Sequence, residues 1–196
     1  HLRALLEAGS FDVKPGARIA ITCGSRGIDQ YGALVKTTVS FLRARGAQPF
    51  LVPSMGSHGG GTAEGQLELL AGYGITEEGV GAPLLSSMEV VETASVDGIP
   101  LYCDKNAHEA DGIVILNKVK PHSNFKGDYE SGLCKMMVIG LGKHQGATPF
   151  HALGFARFAG IIPKAATEQM KVLPVTFAVG LVENAYDGIA TVEAVP

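Results

Sequence analysis

The sequence predicts an α/β fold, with a mostly parallel sheet flanked by helices. Short apolar runs rich in β-branched residues are typical of buried strands, and segments with helical spacing separate several of them. Alternation of strands and helices favours parallel pairing through right-handed crossovers. The chain has 196 residues, of which 46% are hydrophobic, so it can bury a sizeable core.

The sequence of the first half of the chain predicts two strand–helix pairs. The run ARIAIT (17–22) is a buried strand, and residues 31–45 have the apolar spacing of a helix that Gly46 ends. The next strand covers residues 48–55. A second helix follows, with Thr62 as its N-cap.

The second half predicts a hairpin and two further buried strands. Asp97-Gly98 is a strong turn sequence between two short strands, and Asp187-Gly188 indicates a final turn. The buried strands are residues 112–119 and 175–182, and the predicted helices lie near 133–139, 149–158 and 165–171.

Composition excludes several classes of partner. The net charge is −3 and no stripe of Lys and Arg appears, which disfavours nucleic acid and acidic membrane surfaces. No run is apolar and long enough to span a bilayer, and no signal-peptide pattern is present. The three cysteines are widely spaced, as expected of reduced intracellular thiols. We therefore expect a cytoplasmic protein, with residues 1–196 forming one α/β domain of a longer two-domain protein.

Three strands end in polar, glycine-containing loops. The first loop is CGSRG, which contains Gly24, Ser25 and Arg26; the second, GSHGGGTAEGQ, contains His58; and the third, NKVKPHSNFKGD, contains His122. Ligands of open α/β sheets bind beyond the carboxyl ends of the strands. If the sheet is parallel, Arg26, His58 and His122 lie at one edge.

These loops allow two interpretations. His58 and His122 could be unrelated surface histidines, or they could face one substrate carbon from opposite sides as a general acid–base pair. Racemisation needs such a pair, because each face of the carbon requires its own proton carrier. The GSRG loop matches neither the Walker nor the dinucleotide-binding fingerprint, so phosphate binding there depends on backbone N–H groups and Arg26.

Lys135 and His151 occur in apolar surroundings. Lys135 interrupts the run LCKMMVIGLG; it could extend its amine into water along an apolar stem, or hold the amine in a pocket. His151, in TPFHALGF, is predicted in the first turn of a helix, either as a boundary residue or as a single metal ligand. No metal-binding motif accompanies it, so other ligands would have to come from outside the chain.

The motifs GSHGGGTAEGQ, NKVKPH, SGLCKMM and TPFH together resemble the nickel-dependent lactate racemase family. The resemblance implies a Rossmann-like N-terminal domain and an active site shared with a smaller C-terminal domain. It also implies a nickel-pincer nucleotide, a pyridinium mononucleotide tethered to a lysine, with a histidine completing the nickel coordination. Such enzymes interconvert the stereoisomers of a 2-hydroxyacid by reversible hydride transfer to the cofactor, and depend on proteins that synthesise that cofactor.

By this resemblance, His58 and His122 are the acid–base pair and Lys135 is the tethering lysine. The nickel ligand is His151, which lies sixteen residues after Lys135 as the family pattern requires. Arg26, with Ser25 and Gly24, would hold the cofactor phosphate or the substrate carboxylate. In an uncharged amide-like bond, the lysine would no longer carry the cost of burying an ammonium.

The sequence also departs from the family pattern. Cys23 and Gly27 occupy the places of an aspartate and a proline in the first loop, and the stretch before Lys135, which contains Asp128 and Glu130, is about three residues longer. These changes favour a divergent member and a substrate other than lactate. Two alternatives remain: a non-catalytic phosphate- or nucleotide-binding module of the same fold, and a hydrolase that uses the two histidines around a divalent ion.

Overall fold

The structure is a computed structural model that describes residues His1 to Pro196 and contains one five-stranded sheet. The strand order is β2-β1-β5-β6-β7. The first four strands are mutually parallel and β7 is antiparallel to β6, so the predicted mostly parallel sheet is confirmed. The strands are β1 (Arg18–Cys23), β2 (Gln48–Pro53), β5 (Gly112–Lys118), β6 (Val175–Glu183) and β7 (Ile189–Val195). A separate hairpin is formed by β3 (Val90–Val96) and β4 (Ile99–Asp104).

Helices connect the strands and cover both faces of the sheet. They are α1 (Leu2–Ala8), α2 (Tyr31–Ala44), α3 (Ala63–Ala71), α4 (Glu77–Val80), α5 (Lys105–His108), α6 (Leu133–Lys135), α7 (Lys143–Ala152) and α8 (Phe158–Met170). A π-helical turn at Met136–Gly140 follows α6 directly. No helix combines the length and hydrophobicity needed to cross a membrane.

Alternating side chains of β1 explain why helices cover both faces. Ile19 and Ile21 are buried in a cluster with Val35 of α2, whereas Ala20 is buried in a second cluster with Met137 of the π-helical turn. Full burial of a Val, Leu or Ile side chain stabilises the fold by roughly 1.5–3 kcal/mol. A strand buried on both faces requires the continuous apolar run that the sequence shows.

Local signals in the sequence form the predicted turns and caps. Thr62 Oγ1 accepts a hydrogen bond from Gly65 N at 3.1 Å and so caps α3. Gly46 follows α2 with φ = 80°, and Asp97 and Gly98 have φ of 47° and 79° in the hairpin turn. Left-handed backbone is tolerated by Gly, Asn and Asp more readily than by other residues.

Two predicted helix boundaries are wrong. The helix predicted for 149–158 is instead α7, which begins at Lys143, contains Pro149 in its interior and ends at Ala152. The helix predicted for 165–171 is the second half of α8, which contains Pro163. The sequence predicts Pro149 near a helix start, but packing of the buried Phe150 keeps α7 continuous through it, as burial of Ile162 does for Pro163 in α8. His151 therefore lies in the last turn of its helix, not in the first.

The order of the strands creates a crevice at the carboxyl end of the sheet. The chain leaves β1 for β2 on one side, and leaves β5 for β6 on the other. The loops after β1 and β5, which are adjacent strands, consequently diverge. A topological switch point of this kind is where open α/β sheets bind ligands.

Candidate active site

A cavity of about 150 Å³ lies at this switch point. Its wall includes residues from the loops after β1, β2 and β5, and from the helices that follow Lys135. All seven residues singled out from the sequence line it: Gly24, Ser25, Arg26, His58, His122, Lys135 and His151. The predicted convergence of Arg26, His58 and His122 at one edge is thus observed.

The charged side chains that line the cavity are all basic. They are Arg26, Lys118, Lys120 and Lys135, and no Asp or Glu is among the lining residues. Lys118 forms an ion pair with the carboxylate of Glu183, a side chain that is only 4% exposed. The other three cations are unpaired by carboxylates, so the cavity favours an anionic ligand.

His58 contacts the loop after β1 directly. Its Nδ1 lies 2.5 Å from Ser25 Oγ, and the Ser25 carbonyl accepts a hydrogen bond from the Tyr73 hydroxyl at 2.9 Å. Partial burial, followed by the nearby charges of Arg26 and Lys135, lowers the pKa of His58. The imidazole is therefore neutral at neutral pH, and its Nδ1 is held by the serine.

The three glycines after His58 determine the shape of its loop. Gly59, Gly60 and Gly61 all have φ near the left-handed value, between 66° and 67°. A Cβ at Gly59 would come within 2.7 Å of the backbone of Gly65 and Gln66. The loop thus turns sharply against α3, a conformation for which glycine is suited.

A carboxylate orders the loop that carries His122. Glu130, which had no role in the sequence interpretation, accepts hydrogen bonds from the backbone N–H of His122 at 2.6 Å and of Gly127 at 3.2 Å. The backbone N–H of Asn124 donates to His122 Nδ1 at 3.1 Å, so neutral His122 carries its proton on Nε2. Desolvation, followed by the charge of Lys135, lowers the pKa of His122.

An aromatic cluster connects His122 to His151. The His122 ring centroid lies 4.5 Å from Phe125 and 5.6 Å from Phe155, and that of His151 lies 5.9 Å from Phe158. Phe158 in turn contacts Phe125 and Phe155, with centroids 5.5 and 5.1 Å away. These phenylalanines fix the two imidazoles relative to each other, and the local sequence pattern did not reveal them.

Lys135 lies at the junction between α6 and the π-helical turn. Asn117, at the end of β5, donates from Nδ2 to Gly132 O at 2.9 Å and so anchors the start of α6. Of the two alternatives for Lys135, the structure places it in the cavity wall. Burial, then the charges of Arg26 and Lys120, lowers its pKa to about 8. Single π-helical turns are frequent at functional sites.

Close packing holds this turn against the His58 loop. A Cβ at Gly140 would come within 2.7 Å of Ser54 O and of Met136 Sδ. Gly56 N also donates to Gly140 O at 3.3 Å. The helix that carries Lys135 and the loop that carries His58 therefore have a fixed separation.

A buried polar network supports the same loop from below. Gln66 Nε2 donates to Gly56 O at 3.0 Å and to His58 O at 3.2 Å. Lys143 Nζ donates to Gln66 Oε1 at 3.4 Å and to Pro53 O, and it lies 3.0 Å from Asp104 Oδ2. Lys143 and Asp104 are fully buried. Burial lowers the pKa of Lys143 and raises that of Asp104, while their attraction opposes both shifts.

This network was missed by sequence analysis, although a signal was present. Lys143 closes the same apolar run that Lys135 interrupts, and a lysine in such a setting needs a partner. The partner, Asp104, lies at the end of β4, thirty-nine residues earlier. Sequence alone does not show that these positions meet.

Part of the loop after β1 forms contacts within the protein. Gly24 lines the cavity, but its N–H donates to the Tyr31 hydroxyl at 2.6 Å. Cys23 is buried, and desolvation raises its pKa to about 12, so it supplies no charge where the family pattern has an aspartate. Arg26 is exposed at the cavity and remains the principal cation of this loop for an anionic ligand.

His151 is the metal ligand that the resemblance implies, and it does not belong to a complete set of protein ligands. No group of three or more His, Cys, Asp or Glu side chains is clustered closely enough to hold an ion. The His151 side chain is exposed at the end of α7, and partial burial, followed by the charge of Lys135, lowers its pKa. A neutral, accessible imidazole beside an amine fits a metal whose other ligands come from a bound cofactor.

Fold and cavity together define a class: an α/β protein with a cationic cavity at the switch point of a mostly parallel sheet. No protein-family model and no curated protein matches the sequence. The structure is similar to that of the lactate racemase apoprotein from Thermoanaerobacterium thermosaccharolyticum, with a TM-score of 0.71 and 16% sequence identity. The match covers 98% of this chain and 50% of that protein. The chain thus has a lactate-racemase-like fold and spans about half the length of that relative.

Proposed function

We propose that this chain is the cofactor-bearing part of a nickel-pincer-nucleotide-dependent racemase or epimerase of a 2-hydroxyacid. The observation that carries the proposal is the meeting of Arg26, His58, His122, Lys135 and His151 around one cavity. These residues come from distant parts of the sequence, and the fold that joins them is similar to that of lactate racemase.

The residues of the cavity fit the proposed cofactor. Lys135 would hold it covalently, since a lowered pKa leaves more of the amine in the neutral, nucleophilic form. His151 would bind nickel, and Arg26 would hold a phosphate or carboxylate. When bound, the cofactor would supply a hydride acceptor, which none of the side chains in the cavity provides.

The two histidines would move the hydroxyl proton of the substrate. Neutral His122 carries its proton on Nε2, because Nδ1 accepts from Asn124 N. His58 can donate from Nδ1 to Ser25 Oγ, which leaves its Nε2 free to accept a proton. His58 can thus act as the base at Nε2, whereas His122 would act as the acid only as its imidazolium, because a neutral imidazole does not release its remaining N–H proton near neutral pH.

Alanine substitutions test these roles. In protein co-expressed with the cofactor-synthesis proteins, His58→Ala and His122→Ala should each abolish interconversion of the two stereoisomers while the cofactor still loads on Lys135. His144→Ala is a matched control, because His144 is exposed and does not line the cavity. Racemisation that persists in the double variant would contradict the acid–base assignment.

A second function is favoured by the charge of the cavity. Three cations without carboxylate partners could bind a phosphate or a nucleotide reversibly, with Lys135 unmodified and no catalysis. Such a module predicts binding that weakens with salt and does not depend on nickel. The hydrolase alternative is weaker, since it needs a divalent ion and no group of three or more His, Cys, Asp or Glu side chains is placed to hold one.

A further inference from the structure

A second cavity adjoins the cationic one and differs from it in character. It has a volume of about 560 Å³ and lies beyond the carboxyl ends of β5 and β6. We call it the apolar cleft; its apolar lining consists of Val119, Pro121, Tyr129, Leu133, Cys134 and Val182. Volumes of this size suit small-molecule ligands.

The two cavities are adjacent and share part of their walls. Lys120, Ser131 and Lys135 line both of them. Lys120 N also donates to Ser131 O at 3.0 Å, which closes the base of the intervening loop. A single ligand could therefore reach the cationic groups with one end and the apolar cleft with the other.

Several apolar side chains of the cleft are exposed. Tyr129, Val119 and Val182 are large apolar side chains with exposed fractions of 60%, 39% and 43%. A Cβ at Gly180 of β6 would lie 3.6 Å from Val119 and 3.7 Å from Leu133, so these two side chains of the cleft pack closely against β6. Clustered exposed apolar side chains commonly mark binding sites.

Charge restricts the position of an anionic head group. The acidic residues of the cleft are Asp128 and Glu130, and Glu130 is occupied by the backbone N–H groups of His122 and Gly127. A carboxylate would be repelled from Asp128 and attracted to Arg26, which lines only the cationic cavity, and to Lys120, which lines both. An organic acid would thus orient with its carboxylate in the cationic cavity and its side chain in the cleft.

From this arrangement we infer that the substrate is a 2-hydroxyacid with a bulky apolar side chain, aromatic or branched aliphatic, which occupies the apolar cleft. The inference rests on the proposed function and specifies its substrate class. A methyl group, as in lactate, would leave most of the cleft to water. A phenyl group would remove additional apolar surface from water and so gain affinity.

Equilibrium binding to the purified chain tests the inference, with 3-phenyllactate and lactate as probes and isothermal titration as the measurement. We expect 3-phenyllactate to bind at least about ten-fold more tightly. Val182→Ser should reduce that preference several-fold and leave lactate binding unchanged. The matched control is Val172→Ser, because Val172 is 49% exposed and lies outside both cavities.

Equal affinity for the two acids, absence of binding by both, or an unchanged preference in Val182→Ser would overturn the inference. So would self-association of the chain that Tyr129→Ser abolishes, since a second copy would then occupy the cleft. Inorganic phosphate, titrated in parallel, reports on the cationic cavity alone. Phosphate binding that Arg26→Ala weakens, without a preference between the acids, would leave the proposed function standing and refute only the substrate class.

Discussion

The hydroxyl oxygen of Ser25 lies 2.5 Å from Nδ1 of His58 and joins the loop after β1 to the loop after β2. The position of Ser25 is itself fixed through its carbonyl by Tyr73. A histidine whose Nδ1 is held in this way presents Nε2 in one orientation. The contact therefore gives the proposed acid–base residue a defined direction.

Removal of this contact should impair turnover without preventing cofactor attachment. Ser25→Ala frees the His58 ring, and we expect racemisation to fall by about ten-fold, as misplacement of a catalytic group does. Nitrogen chemical shifts of His58 should report a mixture of tautomers. Ser57→Ala is the matched control, because Ser57 lines the same cavity but makes no side-chain hydrogen bond. Equal effects of the two substitutions would contradict an orienting role for Ser25.

The charges of the buried residues Lys143 and Asp104 should matter to stability because each compensates the other, so losing one should cost far more than losing both. Lys143→Met leaves the Asp104 carboxylate buried without its counter-charge, which should lower the free energy of unfolding by about 3–5 kcal/mol. Adding Asp104→Asn keeps the acceptor that caps α5, removes the charge and should restore most of the loss. Chemical denaturation measures both effects.

A surface ion pair provides the control for this comparison. Lys105 and Glu89 are 2.8 Å apart, but both side chains are largely exposed. Lys105→Met should therefore change stability much less than Lys143→Met. A double variant that remains as unstable as Lys143→Met would show that shape, rather than charge, determines the loss.

Lys135 should destabilise the unmodified protein at neutral pH. Its pKa is lowered from 10.5 to about 8, so the folded chain binds fewer protons than the unfolded chain between these values. The buried ammonium lowers the free energy of unfolding by its full amount below pH 8, and this effect disappears as the pH rises toward 10.5. After allowance for its contact with solvent, Lys135→Met should raise the free energy of unfolding by about 1 kcal/mol at pH 7, with a smaller gain at pH 10.

The exposed Lys164 is the control for this experiment, as its side chain is 64% exposed. Lys164→Met should leave stability nearly unchanged at either pH. A destabilising effect of Lys135→Met at pH 7 would mean that the ammonium is stabilised by its surroundings. The explanation of its lowered pKa would then be wrong.

Strands and turns could be predicted from the sequence because their signals are local. The apolar run of β5 and the Asp97-Gly98 turn each depend on a few consecutive residues. The interior Pro149 of α7 misled the prediction of that helix, since tertiary packing outweighed its local preference. Such packing comes from residues that are distant in the sequence.

The same distinction between local signals and long-range contacts applies to the candidate site. The parallel sheet and the carboxyl-edge rule were enough to bring His58 and His122 together. The residues that hold them, among them Glu130, Gln66 and Phe158, act through contacts whose partners no local pattern identifies. The candidate catalytic and binding residues could therefore be predicted from the sequence. The residues that hold them in place could be recognised only in the folded structure.

The chemical state of Lys135 tests the central claim most directly. The protein would be co-expressed with the cofactor-synthesis proteins and analysed by intact-protein and peptide mass spectrometry, with metal analysis of the same sample. A lactate racemase loaded in the same cells would verify that cofactor is made. We expect an adduct confined to Lys135 and one equivalent of nickel, both of which Lys135→Ala should abolish. An unmodified Lys135 beside a loaded lactate racemase would contradict the account and favour the reversible binding module.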